Sequence, residues 1–247
     1  MRGLLQLTRS ETRLFLREPA AAFFTLAFPL ILLFVFGGIF GNDLDPEYYD
    51  GAWGAVDVMV QGYIGLIIGT IVFIGMPVTI ASYRQYGILK RLRATPVTAS
   101  SIIGSQLLVN LVMFVLGVIL LLVVGWIVYD LRMPESFAGM WAASLLSFVS
   151  FAAVGLVLAS IFPTSRTAQA AGSAIYFPQM FLSGAAFPRE LFPDGMKRVT
   201  EFLPMTQINI LVTEMWQAGT WNAVAVMVLL AIGVVAGVAA IRLFRWE

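Results

Sequence analysis

Six apolar runs, each about twenty residues or longer, dominate this 247-residue chain and fix its class. They cover roughly 20–40, 58–82, 99–128, 137–162, 167–187 and 221–243, and away from their ends they contain no Asp, Glu, Lys or Arg. At 1.5 Å of rise per residue, about twenty helical residues cross a hydrocarbon core of about 30 Å. Hydrophobic residues make up 60% and charged residues 12% of the chain. That is about half the charge of an ordinary soluble domain, and one globule of this size has no interior large enough for so much apolar surface. The spacing therefore predicts an all-α membrane protein with six transmembrane helices in a single domain, residues 19–247. A soluble enzyme is excluded. So is a nucleic-acid binder, because a net charge of +1 offers phosphate no concentrated basic surface.

The flanking segments predict how the chain sits in the bilayer. At helical spacing Arg2, Gln6, Arg9, Arg13 and Arg17 share one face of residues 1–18, opposite Leu4, Leu7, Leu14 and Phe15. This is the pattern of an amphipathic interfacial helix, ended by Pro19. Glu11 and Glu18 fall inside the apolar face, where a carboxylate needs a protein partner, either an arginine of this chain or another subunit. With both termini and the 83–97 and 163–166 links on one side, that side holds eleven bases and three acids, and the other side four bases and eleven acids. Counting bases places both termini in the cytoplasm, and the expected location is the cell (inner) membrane.

What is missing from the sequence narrows the chemistry. It has no Cys and no His, which removes thiolate and imidazole metal ligands and the usual general base. Its two lysines, Lys90 and Lys197, do not follow glycine, so a phosphate-binding GxxxxGK[ST] loop is absent. We therefore expect no catalytic residues, no metal site and no cofactor bound by this chain. Spans without ionisable groups also argue against proton or ion coupling. Energy for uphill transport would then come from another chain.

Two segments carry specific signals. Between the second and third spans, YRQYGILKRLRATP predicts a short helix over 83–96, with Ile88, Leu89 and Leu92 as an apolar knob among Arg84, Lys90, Arg91 and Arg93. Such a knob suits a groove on a soluble partner, although a basic cytoplasmic loop alone has the same composition. In the fifth span Gln169, Ser173, Tyr176, Met180 and Ser183 recur at steps of four and three, forming one stripe. With Gln61 and Thr70 of the second span, this stripe is a candidate substrate pathway; helix–helix packing is the alternative. Gly65 and Gly69 suit close approach of another helix, and Gln106 and Asn110 suit an interhelical hydrogen bond. Residues 188–220 are too long for a hairpin and mix apolar with charged side chains. They predict two short helices in a re-entrant outer segment.

The string YRQYGILKRLRATPVTASSIIGSQLL resembles the segment between spans two and three of ABC-2-type transporter permeases, approximately R-E-x-G-T-L-E-x-L-x-x-x-P. Arg84, Gly87, Leu89, Leu92 and Pro96 match in register. FLSGAAFPRELFPDGMKRVTEFLPMTQINILVTEMW resembles the second signature, through Ser183, Gly184, Pro188, Pro193 and Pro204. The likeness spans nearly the whole chain and is strongest to compact bacterial drug-resistance and drug- or lipid-export permeases. It implies a coupling helix over 83–96 that touches a separate ATP-binding subunit, which holds the ATP and Mg, with the N-terminal helix nearby. On this resemblance Arg84, Gln85, Gly87, Leu89, Lys90, Arg91 and Leu92, with Glu11 and Glu18, are the ATPase-coupling residues. A second permease copy or a sister permease would complete the pathway for a hydrophobic or amphipathic, lipid-like substrate. Gln85 and Lys90 stand where the family carries acids, which makes this docking face basic. An ATP-independent channel or a structural membrane protein is the rival reading.

Overall fold

The computed structural model describes residues 23–44, 52–88 and 99–243. The predicted amphipathic helix with Glu11 and Glu18, and Leu89, Lys90, Arg91 and Leu92 of the predicted coupling helix, lie outside the described residues. Among the described residues the fold is all-helical, and its one extended pairing is an isolated bridge between Leu44 and Gly54.

A π-helical turn, Phe23–Ala27, leads into α1, Phe28–Phe40. Helix α2, Ala55–Gly69, continues through a second π-helical segment, Thr70–Gly75, into α3, Met76–Gln85, as one 31-residue rod. Then come α4, Ala99–Tyr129, α5, Phe137–Ile161, and α6, Ser165–Leu182. After a 3-10 turn, Arg189–Leu191, follow α7, Asp194–Thr200, α8, Pro204–Gln217, and α9, Ala223–Leu243.

Among the described residues four segments are long and apolar enough to cross a membrane: Ala55–Gln85, Ile103–Tyr129, Phe137–Ile161 and Ala223–Leu243. Of the other two expected spans, Thr25–Phe40 is a shorter apolar helix. The fifth, expected over 167–187, is α6, which carries Arg166, Gln169 and Gln179 and ends early at Leu182. It ends there because Gly184 takes a φ of 90°, a left-handed conformation that reverses the chain and that only glycine adopts freely. Between α6 and α9 the expected two short helices are present as α7 and α8.

The rod formed by α2 and α3 is the axis of the bundle. Every residue of α2 is buried, and α1, α4, α5, α6 and α8 all pack against it. An apolar helix in a membrane protein can be covered by lipid or by other helices, and here five helices cover α2. Proline accounts for both π-helical segments. Pro29 and Pro77 each stand two residues beyond one of them. A proline inside a helix lacks the N–H for the carbonyl four residues back and crowds it, and widening to π geometry relieves that conflict. Helix α9 is peripheral. It meets α5 where Gly233 lies against Ser150, and leaves Val224, Met227, Val234, Val235 and Ile241 exposed as a lipid-facing stripe.

One end of the bundle is stapled by a carboxylate. The sequence places Asp57 in a loop before the second span, but α2 begins three residues earlier than expected and Asp57 is fully buried in its first turn. Its Oδ2 accepts from the Gly54 N–H at 2.9 Å and Arg132 Nη1 at 2.7 Å; its Oδ1 accepts from Asn42 Nδ2 at 3.0 Å and the Arg132 N–H at 2.9 Å. Asn42 Nδ2 also donates to the Tyr129 carbonyl at 3.0 Å, and Arg132 Nη1 to the Asn42 carbonyl at 3.1 Å. The end of α1, the start of α2 and the link from α4 to α5 are thereby one unit.

Candidate functional site

The predicted coupling residues begin at the end of α3, and there the structure gives Arg84 and Gln85 definite partners. Arg84 donates to the carbonyls of Ala159 at 3.1 Å and Phe162 at 3.3 Å, at the C-terminus of α5. Gln85 Oε1 accepts from the N–H and the hydroxyl of Ser165 at 3.2 and 3.1 Å, at the N-terminus of α6. Gly87, with a φ of 66°, turns the chain out of α3. Of the nine coupling residues expected, these three are the ones the described residues include.

Farther along α3 and α2 lies the π-helical segment, gripped from two sides by glycine. A Cβ on Gly155 of α5 would lie 2.9 Å from the Val72 carbonyl oxygen, and a Cβ on Gly172 of α6 would collide with the Phe73 carbonyl oxygen. Pro77 cannot donate to that Phe73 carbonyl, and α6 closes over it where its own side chain is missing. The Thr70 and Tyr176 hydroxyls lie 2.8 Å apart and both approach the Leu66 carbonyl, at 3.0 and 3.1 Å. The two residues expected to share a pathway do meet, in the protomer's interior.

The rest of the stripe keeps to one face of α6, and its burial increases along the helix. Met180 and Ser183 are buried with Tyr176, Ser173 is half-buried and Gln169 is exposed. The Ser183 carbonyl and hydroxyl accept from Asn209 Nδ2 at 2.9 and 3.2 Å, while Gln179 Oε1 accepts from the Met205 N–H at 3.3 Å. Gln61 is fully buried, and its Oε1 accepts from Gln217 Nε2 at 3.2 Å. These bonds tie α6 and α2 to α8, a helix whose buried polar residues, Asn209 among them, carried no recognisable signal in the sequence. Gly65 and Gly69 do admit close neighbours, Asn209 against the first and Tyr176 with Met205 against the second. The interhelical hydrogen bond expected of Gln106 and Asn110 is absent among the described residues for three of their four amide atoms. Both are buried, and neither Gln106 Oε1 nor either Asn110 amide atom has a partner among the described residues.

The opposite face of α6 is apolar and open. Phe177 and Phe181 are exposed there, and Phe181 stacks on Phe187 with ring centres 6.0 Å apart. Phe187 meets Phe36 of α1 edge-on at 5.2 Å, and Phe36 stacks on Phe40 at 6.4 Å. A continuous aromatic seam thus joins α1 to α6. The polar cleft beside Gly62, Gly184, Arg189 and Asn209 has a volume of about 70 Å³. That is room for a few waters, far below the roughly 300 Å³ at which small-molecule pockets begin.

The described side chains can thus position and pack. No group of three or more Asp and Glu among the described residues could hold a metal ion. A family model described as ABC-2 type transporter matches residues 2–216. No curated protein matches the chain.

Proposed function

The chain belongs to the ABC-2 type transporter family, and on that premise we propose that it is the permease subunit of an ATP-driven exporter, powered by a separate ATP-binding subunit. The family match over residues 2–216 carries the reading, because members of this family are the membrane component of such transporters. In this reading the chain crosses the inner membrane six times, with Thr25–Phe40 and α6 completing the four longer spans. Both termini face the cytoplasm, where the eleven bases collect. Helices α7 and α8 form a re-entrant outer segment. At 14 residues α8 reaches about 21 Å, short of a full crossing.

Two permease copies, or this chain and a sister permease, would line the route between them. The aromatic seam of Phe36, Phe40, Phe181 and Phe187 supports this arrangement, since rings on the outside of a protomer suit either a second subunit or an amphipathic, lipid-like substrate. The burial of Thr70, Tyr176, Met180 and Ser183 favours a packing role for that half of the stripe. Gln169, Ser173 and the neighbouring phenylalanines of α6 are then the pathway lining. Energy enters through the 83–96 segment and the N-terminal helix, with Leu89, Lys90, Arg91 and Leu92 facing the partner and Glu11 and Glu18 near it. Co-purification with the ATP-binding subunit, followed by vanadate-sensitive hydrolysis, tests the reading. A stable complex with stimulated hydrolysis is expected. A permease that forms no complex, or passes solute without ATP, refutes it in favour of an ATP-independent channel.

A further inference from the structure

We propose that Arg84 and Gln85 form a clamp that fastens the coupling segment to the turn between α5 and α6, so that α6 moves with that segment. The coupling role of the segment rests on the permease reading above; the clamp itself rests on the geometry.

Every helix leaves its last carbonyls and first N–H groups without partners inside the helix, and the turn at 162–164 brings both sets together. Helix α6 meets part of this need locally. Thr164 Oγ1 accepts from the Thr167 N–H at 3.2 Å, and the Thr164 carbonyl accepts from the Ala168 N–H at 3.0 Å. The Ser165 N–H instead finds its acceptor 80 residues away, on Gln85. On the other side of the turn the Arg84 guanidinium covers the α5 carbonyls of Ala159 and Phe162. A cation therefore sits at the negative end of one helix dipole and an acceptor at the positive end of the next, supplied by consecutive residues of α3.

From Ser165 the α6 helix runs without a break to Tyr176, bonded to the π-helical segment, and on to Ser183, bonded to Asn209 of α8. A displacement at residue 85 is therefore delivered along α6 to both places. What position 85 requires is an oxygen that can accept two hydrogen bonds. Glutamine meets that requirement, and so does a carboxylate, which accounts for an amide standing where the family carries an acid. Gln85 is thus a positioning residue for α6: its side chain is exposed, yet its amide oxygen is committed to the N–H and hydroxyl of Ser165.

The test uses the full-length permease with its ATP-binding subunit in nanodiscs, as wild type, Gln85→Leu and Gln85→Glu. Three quantities are read: amide exchange over 165–168 in the permease alone, affinity for the ATP-binding subunit, and stimulation of ATP hydrolysis by the permease. The leucine variant keeps the Thr164 cap and so keeps α6. We expect its exchange there to quicken about fivefold, the effect of losing one cap of ordinary strength. Its stimulation falls severalfold while partner affinity stays within twofold of wild type, and the glutamate variant restores both exchange and stimulation. Unchanged exchange in the leucine variant, or affinity lost in step with stimulation, overturns the clamp. If the wild type itself neither binds nor stimulates the ATP-binding subunit, the permease reading fails, and the coupling role of the clamp fails with it; the exchange difference would still report the contact.

Discussion

Replacing Asp57 with alanine removes the acceptor on which the end of α1, the start of α2 and the α4–α5 link converge. Four donors lose their bond to Asp57: the N–H groups of Gly54 and Arg132, the Asn42 amide, which keeps the Tyr129 carbonyl, and the Arg132 guanidinium, which keeps the Asn42 carbonyl. The ion pair itself contributes modestly, because the Arg132 side chain is 38% exposed and can turn to water. The larger effect comes from the neutral donors. Gly54 is buried and Asn42 and Arg132 are half-buried, and a buried donor left without an acceptor costs about 1–3 kcal/mol. Taking Gly54 in full and the others in part, the loss is about 3–5 kcal/mol, or about 6–20 °C in apparent Tm for a chain of this size. Asp57→Asn is expected to do nearly as much harm, since an amide presents an oxygen to one pair of donors and N–H groups to the other. Arg132→Ala leaves three of the four donors in place and is expected to cost less, about 2–3 kcal/mol. The assay is thermal unfolding in detergent by tryptophan fluorescence, on both single variants and the double variant. The double is expected to fall short of the sum by about 1–3 kcal/mol, as for residues in one network. A shift below about 1 kcal/mol for Asp57→Ala, or strict additivity, would refute the staple.

Three further outcomes follow from the packing. Gly172→Ala sets a methyl group against the Phe73 carbonyl and is expected to destabilise by about 1–3 kcal/mol, whereas Gly38→Ala, with open space around it, is neutral or slightly stabilising; thermal unfolding separates them. Tyr176→Phe removes one hydroxyl but leaves Thr70 bonded to Leu66, so its cost is about 0.5–1.5 kcal/mol. Phe177→Ala and Phe181→Ala, each about half exposed, lose one ring contact apiece and are expected to cost about 0.5–1.5 kcal/mol in unfolding. The same two variants are expected to weaken self-association or transport severalfold in cross-linking and flux assays.

Much of this architecture is legible in the sequence wherever a segment's partner is lipid. The third, fourth and sixth spans follow from uninterrupted apolar runs, and α4, α5 and α9 lie within two residues of those bounds. The fifth span is less legible because its end is set by a left-handed glycine, which a hydropathy pattern does not register. The central position of α2 is not legible, because its run is no more apolar than those of α4 and α9. The polar contacts that matter most join residues far apart in the chain: Asp57 with Arg132, 75 residues on, Tyr176 with Thr70, 106 apart, and Gln85 with Ser165. Thr70, Tyr176 and Gln85 stand out by spacing or by resemblance, but the partner of each is set only when two helices meet. The same holds for α8, whose Asn209 is buried against Ser183.

Reconstitution measures the central claim most directly. Proteoliposomes carrying the permease and its ATP-binding subunit, loaded with a fluorescent phospholipid analogue or a lipophilic dye, are followed for flux with ATP, without ATP, and with ATP plus vanadate. The account predicts flux that requires ATP, stops with vanadate and disappears when either subunit is omitted. Flux of equal rate without ATP, or from the permease alone, would contradict it.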